Sequence, residues 1–372
     1  MARPKDTLTD SQSLRRAGAI SGFVLKLARR CAGVTQEQLA EDLRVDPTTV
    51  QGWESGRRPL SALSSSELAR VRMHLNRGGA PASLAKDLSQ AIEADILLGS
   101  CINLNATQHS VDAHPLGAVV HRRSLMNLVT WPITGALPDQ LTSYTPRMPS
   151  KGPAASYPCL SKADLDRFFD HLQVLTDRTK EPGHALTRRQ AVYLLGFDHR
   201  TSTISWLRDE WRRVNPKNNY IENINELPEA RSAAISLAST GDESSLHCFV
   251  SRLADDRQRQ ANLNYWAYWI GEISNDQIND RFMLCTDPWS WGGVQLLEHL
   301  TRRLGPSSKH LALNLQTMHA LVETRPSLLT DWPRLRAPLA TTIERIGSQE
   351  GLGRRIRDEI AGLSYALRIT AR

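Results

Sequence analysis

The stretch from Phe23 to Pro59 constrains the fold more than any other, because nearly every polar or special residue in it marks a helix end. Phe23, Leu25, Leu27 and Ala28 give a first helix an apolar face. Gly33 supplies the positive-φ exit that such a helix end needs. Thr35 is placed to N-cap a second helix, and Gln38, three residues on, completes a capping box. Leu39, Ala40 and Leu43 bury that helix, and a tight turn at Arg44-Val45 follows, plugged by Val45. Asp46 then caps a third helix, and Pro47 occupies its first turn, where a missing N–H costs nothing. Val50 and Trp53 pack this third helix inward, which leaves Pro47, Thr48, Gln51 and Gly52 facing out.

Two short helices joined by a tight turn behind a first helix make a helix-turn-helix. The segment Val34-Thr35-Gln36-Glu37-Gln38-Leu39-Ala40, followed by Val45, Thr49-Val50 and Trp53-Glu54-Ser55-Gly56-Arg57-Arg58-Pro59, resembles the xenobiotic-response-element (XRE, phage-repressor/Cro-like) helix-turn-helix domain over roughly residues 18 to 78. The resemblance implies double-stranded DNA as partner, with the outward face of the third helix in the major groove. It implies that Gln36 holds a phosphate and that Thr48 and Gln51 read bases, with Pro47, Thr49 and Gly52 on the same face. Arg57 and Arg58 would meet the backbone again. Two residues depart from the usual pattern. Arg44 stands where a turn glycine is common, which implies turn strain or an added phosphate contact. Gly52 stands where relatives carry a base-reading side chain, which limits direct readout.

Charge agrees with this reading. From Arg3 to Arg77 there are thirteen Lys and Arg against eight Asp and Glu, so this part carries five of the chain's net +7. A basic footprint is what phosphate binding requires. The alternative is a helical subdomain that has lost DNA binding, and the exposed Gln, Thr and Arg positions argue against it.

At 372 residues the chain holds two or three domains. The reading divides it into the helix-turn-helix domain (residues 1–78), a connector helix with an irregular linker (79–160) and a helical sensor or oligomerisation domain (161–372). Gly78-Gly79-Ala80-Pro81 signals a hinge. A connector helix is predicted over Ala82 to Leu98, with Ala85, Leu88, Ile92, Ile96 and Leu97 as its apolar stripe. Ser143 to Tyr157 reads as an exposed linker. Leu186 to Trp206 repeats the rhythm of the first helix-turn-helix and is either a degenerate second copy or an ordinary helical hairpin. From Glu229 onward, antiparallel helices are broken at 240–242, 274–276, 291–293, 305–307, 325–326 and 347–353. The fold class is therefore all-α: a five-helix XRE-like domain followed by a larger helical domain, with an α-solenoid of the tetratricopeptide kind as its closest architecture. This helical part is similar to the C-terminal domains of actinobacterial regulators.

No catalytic signature is present, so no enzyme activity and no cofactor is expected. His109, His114 and His121 cluster, but with no cysteine or carboxylate at ligand spacing, so no metal site is expected there. The five cysteines show no Cys-x-x-Cys spacing and read as buried reduced thiols of a cytoplasmic, nucleoid-associated protein. No apolar run suits a bilayer, so no membrane partner is expected. The aromatic run at 265–269 reads mainly as core. Its functional alternative is the wall of an effector pocket made by Asn264, Tyr265, Tyr268, Trp269 and Glu272. The resulting expectation is a homodimeric transcriptional regulator with a small-molecule or peptide effector. The alternative is a helical scaffold or antitoxin-like partner that uses DNA binding for autoregulation.

Overall fold

Helix α1 (Ala19–Cys31) has almost no solvent face: Ile20, Phe23, Val24, Leu25, Leu27 and Ala28 are all buried. A helix buried on nearly every side must be enclosed by other elements. In the computed structural model, which describes residues 18–102, 111, 114–145, 157–214, 226–253, 255–287, 290–305 and 308–370, two sets of helices enclose it. One is the helix-turn-helix: α2 (Gln36–Leu43), α3 (Pro47–Glu54), a 3₁₀ turn (Leu60–Ala62) and α4 (Ser65–Arg77). With α1 these make the five helical segments predicted for the N-terminal domain. The other set is α5 (Ala82–Ile102), α6 (Pro115–Ala118), α7 (Arg123–Thr134), α8 (Asp139–Thr142), α9 (Lys162–Arg178) and α10 (Ala185–Leu195).

Residues 1–194 form one compact unit and 195–372 a second. In the first unit, the segment expected to be a connector is part of the core. Helix α5 packs along α1 on one side and against α7 and α9 on the other. Two buried sides explain why its inward residues, Leu84, Leu88, Ala91, Ile92, Ala94 and Leu98, spread beyond one stripe. Ile96, placed on the predicted stripe, is instead 52% exposed. The Gly78-Gly79 hinge is a packed corner, because a Cβ on Gly78 would lie 3.0 Å from the Ala32 side chain. Phe23 of α1 meets Trp131 of α7 edge-on, with ring centroids 5.1 Å apart. Most of the predicted linker 143–157 and all of residues 1–16 lie outside the described residues.

The second unit contains α11 (Thr201–Val214), α12 (Glu226–Ser239), α13 (Glu243–Arg252), α14 (Asp256–Ile270), α15 (Val294–Arg303), α16 (Leu311–Thr324), α17 (Leu328–Asp331), α18 (Arg336–Gly347) and α19 (Arg354–Thr370). The predicted breaks at 240–242, 274–276, 291–293 and 325–326 all fall between helices, the break at 347–353 begins on the last residue of α18, and the break at 305–307 lies partly outside the described residues. Helix α16 is buried from Ala312 to Met318 and takes contacts from α13, α14, α15 and α19. This packing surrounds one helix, whereas in a solenoid each pair touches only its neighbours. Leu263, Leu297, Leu300, Met318, Leu321, Leu339 and Ile343 fill the centre. Among the described residues there is no β-strand, and no helix is long and apolar enough to cross a membrane.

Candidate nucleic-acid interface

The ends of α1, α2 and α3 form as the sequence dictates. Gly33 has φ +68. Thr35 Oγ1 accepts the Gln38 backbone N–H at 3.1 Å, while Gln38 Oε1 accepts the Thr35 N–H at 2.8 Å. Asp46 Oδ1 accepts both the N–H of Thr48 (2.8 Å) and its hydroxyl (2.5 Å). These bonds to the charged form hold the Asp46 carboxyl below its usual range, the Thr48 hydroxyl contributing most. Arg44 closes α2 in the left-handed region at φ 58 and is the one non-glycine residue with positive φ among the described residues. The side chain that replaces the usual turn glycine is therefore held in a conformation costing about 1–2 kcal/mol.

Helix α3 sits close against α1. A Cβ on Gly22 would lie 2.3 Å from the Trp53 carbonyl oxygen, and one on Gly56 (φ +72) would lie 2.8 Å from the Ala19 nitrogen. Val50 and Trp53 are buried in this contact. A charged network locks the same joint. Arg29 Nε donates to Glu54 Oε1 at 2.5 Å, a second guanidinium nitrogen donates to Glu54 Oε2 at 3.1 Å, and a third to the Val34 carbonyl at 2.7 Å. Glu54 Oε2 also accepts from Gln36 Nε2 at 2.6 Å. The Arg29 and Glu54 side chains are 10% and 4% exposed, so losing one partner strands a buried charge, at a cost of about 3–5 kcal/mol.

Of the residues expected on the DNA face, the structure joins Gly52, Thr49 and Arg58 to one another and ties Gln36 to Glu54. Pro47, Thr48, Gln51, Arg57 and Arg58 are exposed, and Gln36 and Thr49 are half-buried. Gln36 spends one amide hydrogen on Glu54, which fixes the orientation of the remaining N–H and carbonyl. Gly52, expected to face out, is buried, because the Arg58 stem lies over it. A Cβ there would meet Arg58 Cδ at 3.0 Å and Cγ at 3.1 Å. The Arg58 guanidinium then donates to Thr49 Oγ1 at 2.7 Å. A side chain at 52 would displace this arginine, so the glycine is what lets the Arg58 guanidinium lie across the helix. Arg57 has no such anchor among the hydrogen bonds of the described residues.

Asp95 was not singled out from the sequence. Its two carboxylate oxygens accept the N–H groups of Ile20 (3.1 Å) and Ser21 (2.8 Å) at the start of α1. Gly18, the N-cap residue, has no side chain to do so. Burial pushes the Asp95 carboxyl up to about 7, against the pull of these N–H bonds. The Arg29–Glu54 network was also missed. Its partners are 25 residues apart, and the one sequence signal was the Glu of the Trp-Glu-Ser-Gly ending.

In the second unit, most residues of the expected effector wall have structural partners. Asn264 is 1% exposed. Its Nδ2 donates to the carbonyls of Phe282, Met283 and Cys285 at 2.8–3.3 Å, and its Oδ1 accepts from Gln260 and the Trp291 indole, each at 2.9 Å. Tyr268 is buried against Phe282, 5.0 Å away. Glu272 Oε2 accepts the Leu296 N–H at the start of α15 (2.9 Å), and burial raises its pKa. Tyr265 and Trp269 are half-buried, and the Arg231 guanidinium lies 4.7 Å from the Tyr265 ring centroid.

A helix-turn-helix family model matches residues 25–71, from within α1 to the middle of α4. No curated protein and no solved structure shows a significant match to the chain. The matched segment holds the capped second helix, the tight turn and the third helix described above. The chain therefore carries, within its first unit, a DNA-binding helix-turn-helix domain of the XRE type.

Proposed function

We propose that the chain is a sequence-specific transcriptional regulator that binds its operator as a homodimer. One observation carries the reading: Thr48 and Gln51 are exposed on the third helix of a matched helix-turn-helix, and Gln36 is tied to Glu54 of that helix beside the buried Arg29–Glu54 pair. In this reading α3 enters the major groove, Gln51 and Thr48 contact base edges, and Gln36, Arg57 and Arg58 hold phosphates. One short recognition helix buries too little surface for tight specific binding, which favours two half-sites spaced by a helical turn or a multiple of it. The second unit serves pairing or signal reception, and the half-buried rings of Tyr265 and Trp269 are what an effector would meet in α14. The reading assigns the chain no reaction and places it with the nucleoid in the cytoplasm.

Selection of bound duplexes from a random library, with a Gln36/Thr48/Gln51 triple-alanine variant in parallel, tests this. Enrichment of one two-fold-symmetric motif by the native protein, absent with the variant, is the expected result. Enrichment of no motif by the native protein, under salt conditions where it still binds DNA, overturns sequence-specific regulation.

A further inference from the structure

Three residues far apart in the sequence meet at the end of α5. Cys101 lies in its last turn, His114 opens α6 and His171 lies in α9. One potential ligand atom from each lies within 4.8 Å of the other two. The two imidazoles face each other through their Nε2 atoms at 3.1 Å, with rings 28° from parallel. Cys101 is 2% exposed and His114 7%. His109 and His121, the other histidines of the predicted cluster, are not among the three, and His109 lies outside the described residues.

We propose that Cys101 Sγ, His114 Nε2 and His171 Nε2 form a binding site for one divalent transition-metal ion of the zinc class. Two nitrogens bound to one tetrahedral zinc stand about 3.3 Å apart, and a thiolate sulfur stands about 3.6 Å from each. The imidazole pair already has that spacing, and the sulfur, within 4.8 Å of the imidazole ligand atoms, has at most about an ångström to close. One thiolate and two imidazoles suit zinc or cobalt and exclude the hard cations, which take oxygen ligands.

Without metal, two facing ring nitrogens are stable only if one carries a proton and the other accepts it. Leu116 N–H donates to His114 Nδ1 at 3.3 Å, which puts the His114 proton on Nε2, toward His171. Metal binding moves that proton to Nδ1 and gives up the Leu116 bond, a long one. Cys101 is buried, and a buried thiol keeps its proton when no metal holds the sulfur. The balance is therefore Cys–SH plus M²⁺ giving Cys–S–M plus one proton released to solvent, with both imidazoles remaining neutral. Three protein ligands leave a fourth coordination position for water or a small anion.

The test titrates full-length, chelator-treated protein with Co²⁺. The expected result is one Co²⁺ per chain, with tetrahedral ligand-field bands, a thiolate-to-cobalt charge-transfer band and displacement by Zn²⁺. Cys101→Ser should remove the charge-transfer band and weaken binding at least tenfold. His171→Gln, at a half-buried position, should weaken binding while keeping the fold. Exposed Cys31, Cys159 and Cys285 offer rival thiols, so bands that survive both substitutions overturn the proposal. So does a native chain that binds no stoichiometric Co²⁺. The melting temperature of the native chain supplies a check without mutants: it should rise with equimolar Zn²⁺ and fall back with chelator, and no change would overturn the site.

Discussion

Asp95 caps a helix to which it does not belong: its carboxylate accepts the backbone N–H of Ser21 at 2.8 Å, 74 positions away. The cap adds a buried polar tie between α1 and α5, whose side chains already pack against each other. Folded Asp95 keeps its proton up to about pH 7, whereas the unfolded chain releases it near 3.8. Between those values the native state binds more protons. The stability that this site contributes should therefore fall as pH rises through that window and level off above it. Asp95→Asn should flatten this slope in melting curves taken from pH 4.5 to 8. Asp95→Ala, which leaves two buried N–H groups unmet, should cost about 1–3 kcal/mol per group. An unchanged pH slope in the asparagine variant would refute the titration at this site.

Gln51 and Arg57 should separate specificity from affinity. Gln51→Ala should relax discrimination among operator sequences by about 1–3 kcal/mol at the contacted base while leaving non-specific binding intact. Arg57→Ala should weaken all sequences alike and lower the salt slope of log K by about 1. Binding isotherms on specific and scrambled duplexes at several salt concentrations read both quantities. Equal losses of discrimination in the two variants would contradict the assignment.

Arg44 offers a stabilising change. Its φ of 58 is strained for any residue with a Cβ, so Arg44→Gly should raise stability by about 1 kcal/mol, reduced somewhat by the greater chain entropy of glycine. Chemical denaturation gives the number. If the arginine also holds a phosphate, the same variant should bind DNA more weakly despite being more stable.

Gly22→Ala should do the opposite. Its new Cβ would be driven to 2.3 Å from the Trp53 carbonyl oxygen, a backbone atom that cannot swing away, so α1 and α3 must separate. A loss of about 1–3 kcal/mol is expected, together with weaker DNA binding, because Gln36, Glu54 and α3 move as one body. Circular dichroism melts and a binding assay on the same preparation would reveal it.

In the second unit, Asn264→Ala should release the 282–285 segment from the three carbonyl contacts that hold it and strip the Trp291 indole of its acceptor. A destabilisation of about 2–4 kcal/mol and faster amide exchange at 282–285 are expected. If Asn264 instead served mainly to orient a ligand, its removal would leave the melting temperature of the unliganded protein unchanged.

The sequence made local instructions legible and long-range ones obscure. Gly33, the Thr35–Gln38 box, Asp46 and Pro47 act within three or four residues, and each performs its expected job. The inter-helix breaks of the second unit were readable for the same reason, since glycine and proline act on their own backbone. Gly52 was misplaced because its burial comes from Arg58, whose stem folds back only once α3 and the turn exist. Asp95, the Arg29–Glu54 pair and the meeting of Cys101 with His171 depend on which helix lies against which, and no periodicity encodes that.

The enclosure of α1 also bears on how this reading head could be reused. Cut after α4, it would present Phe23 and the unmet N–H groups of Ile20 and Ser21 to water, a surface covered here by Trp131 of α7 and Asp95 of α5. A chimaera that grafts the helix-turn-helix onto a foreign partner would therefore need to carry residues through at least α7. Any rearrangement of α5 that withdraws Asp95 would reach the recognition helix through α1, with no hinge between them to absorb the displacement.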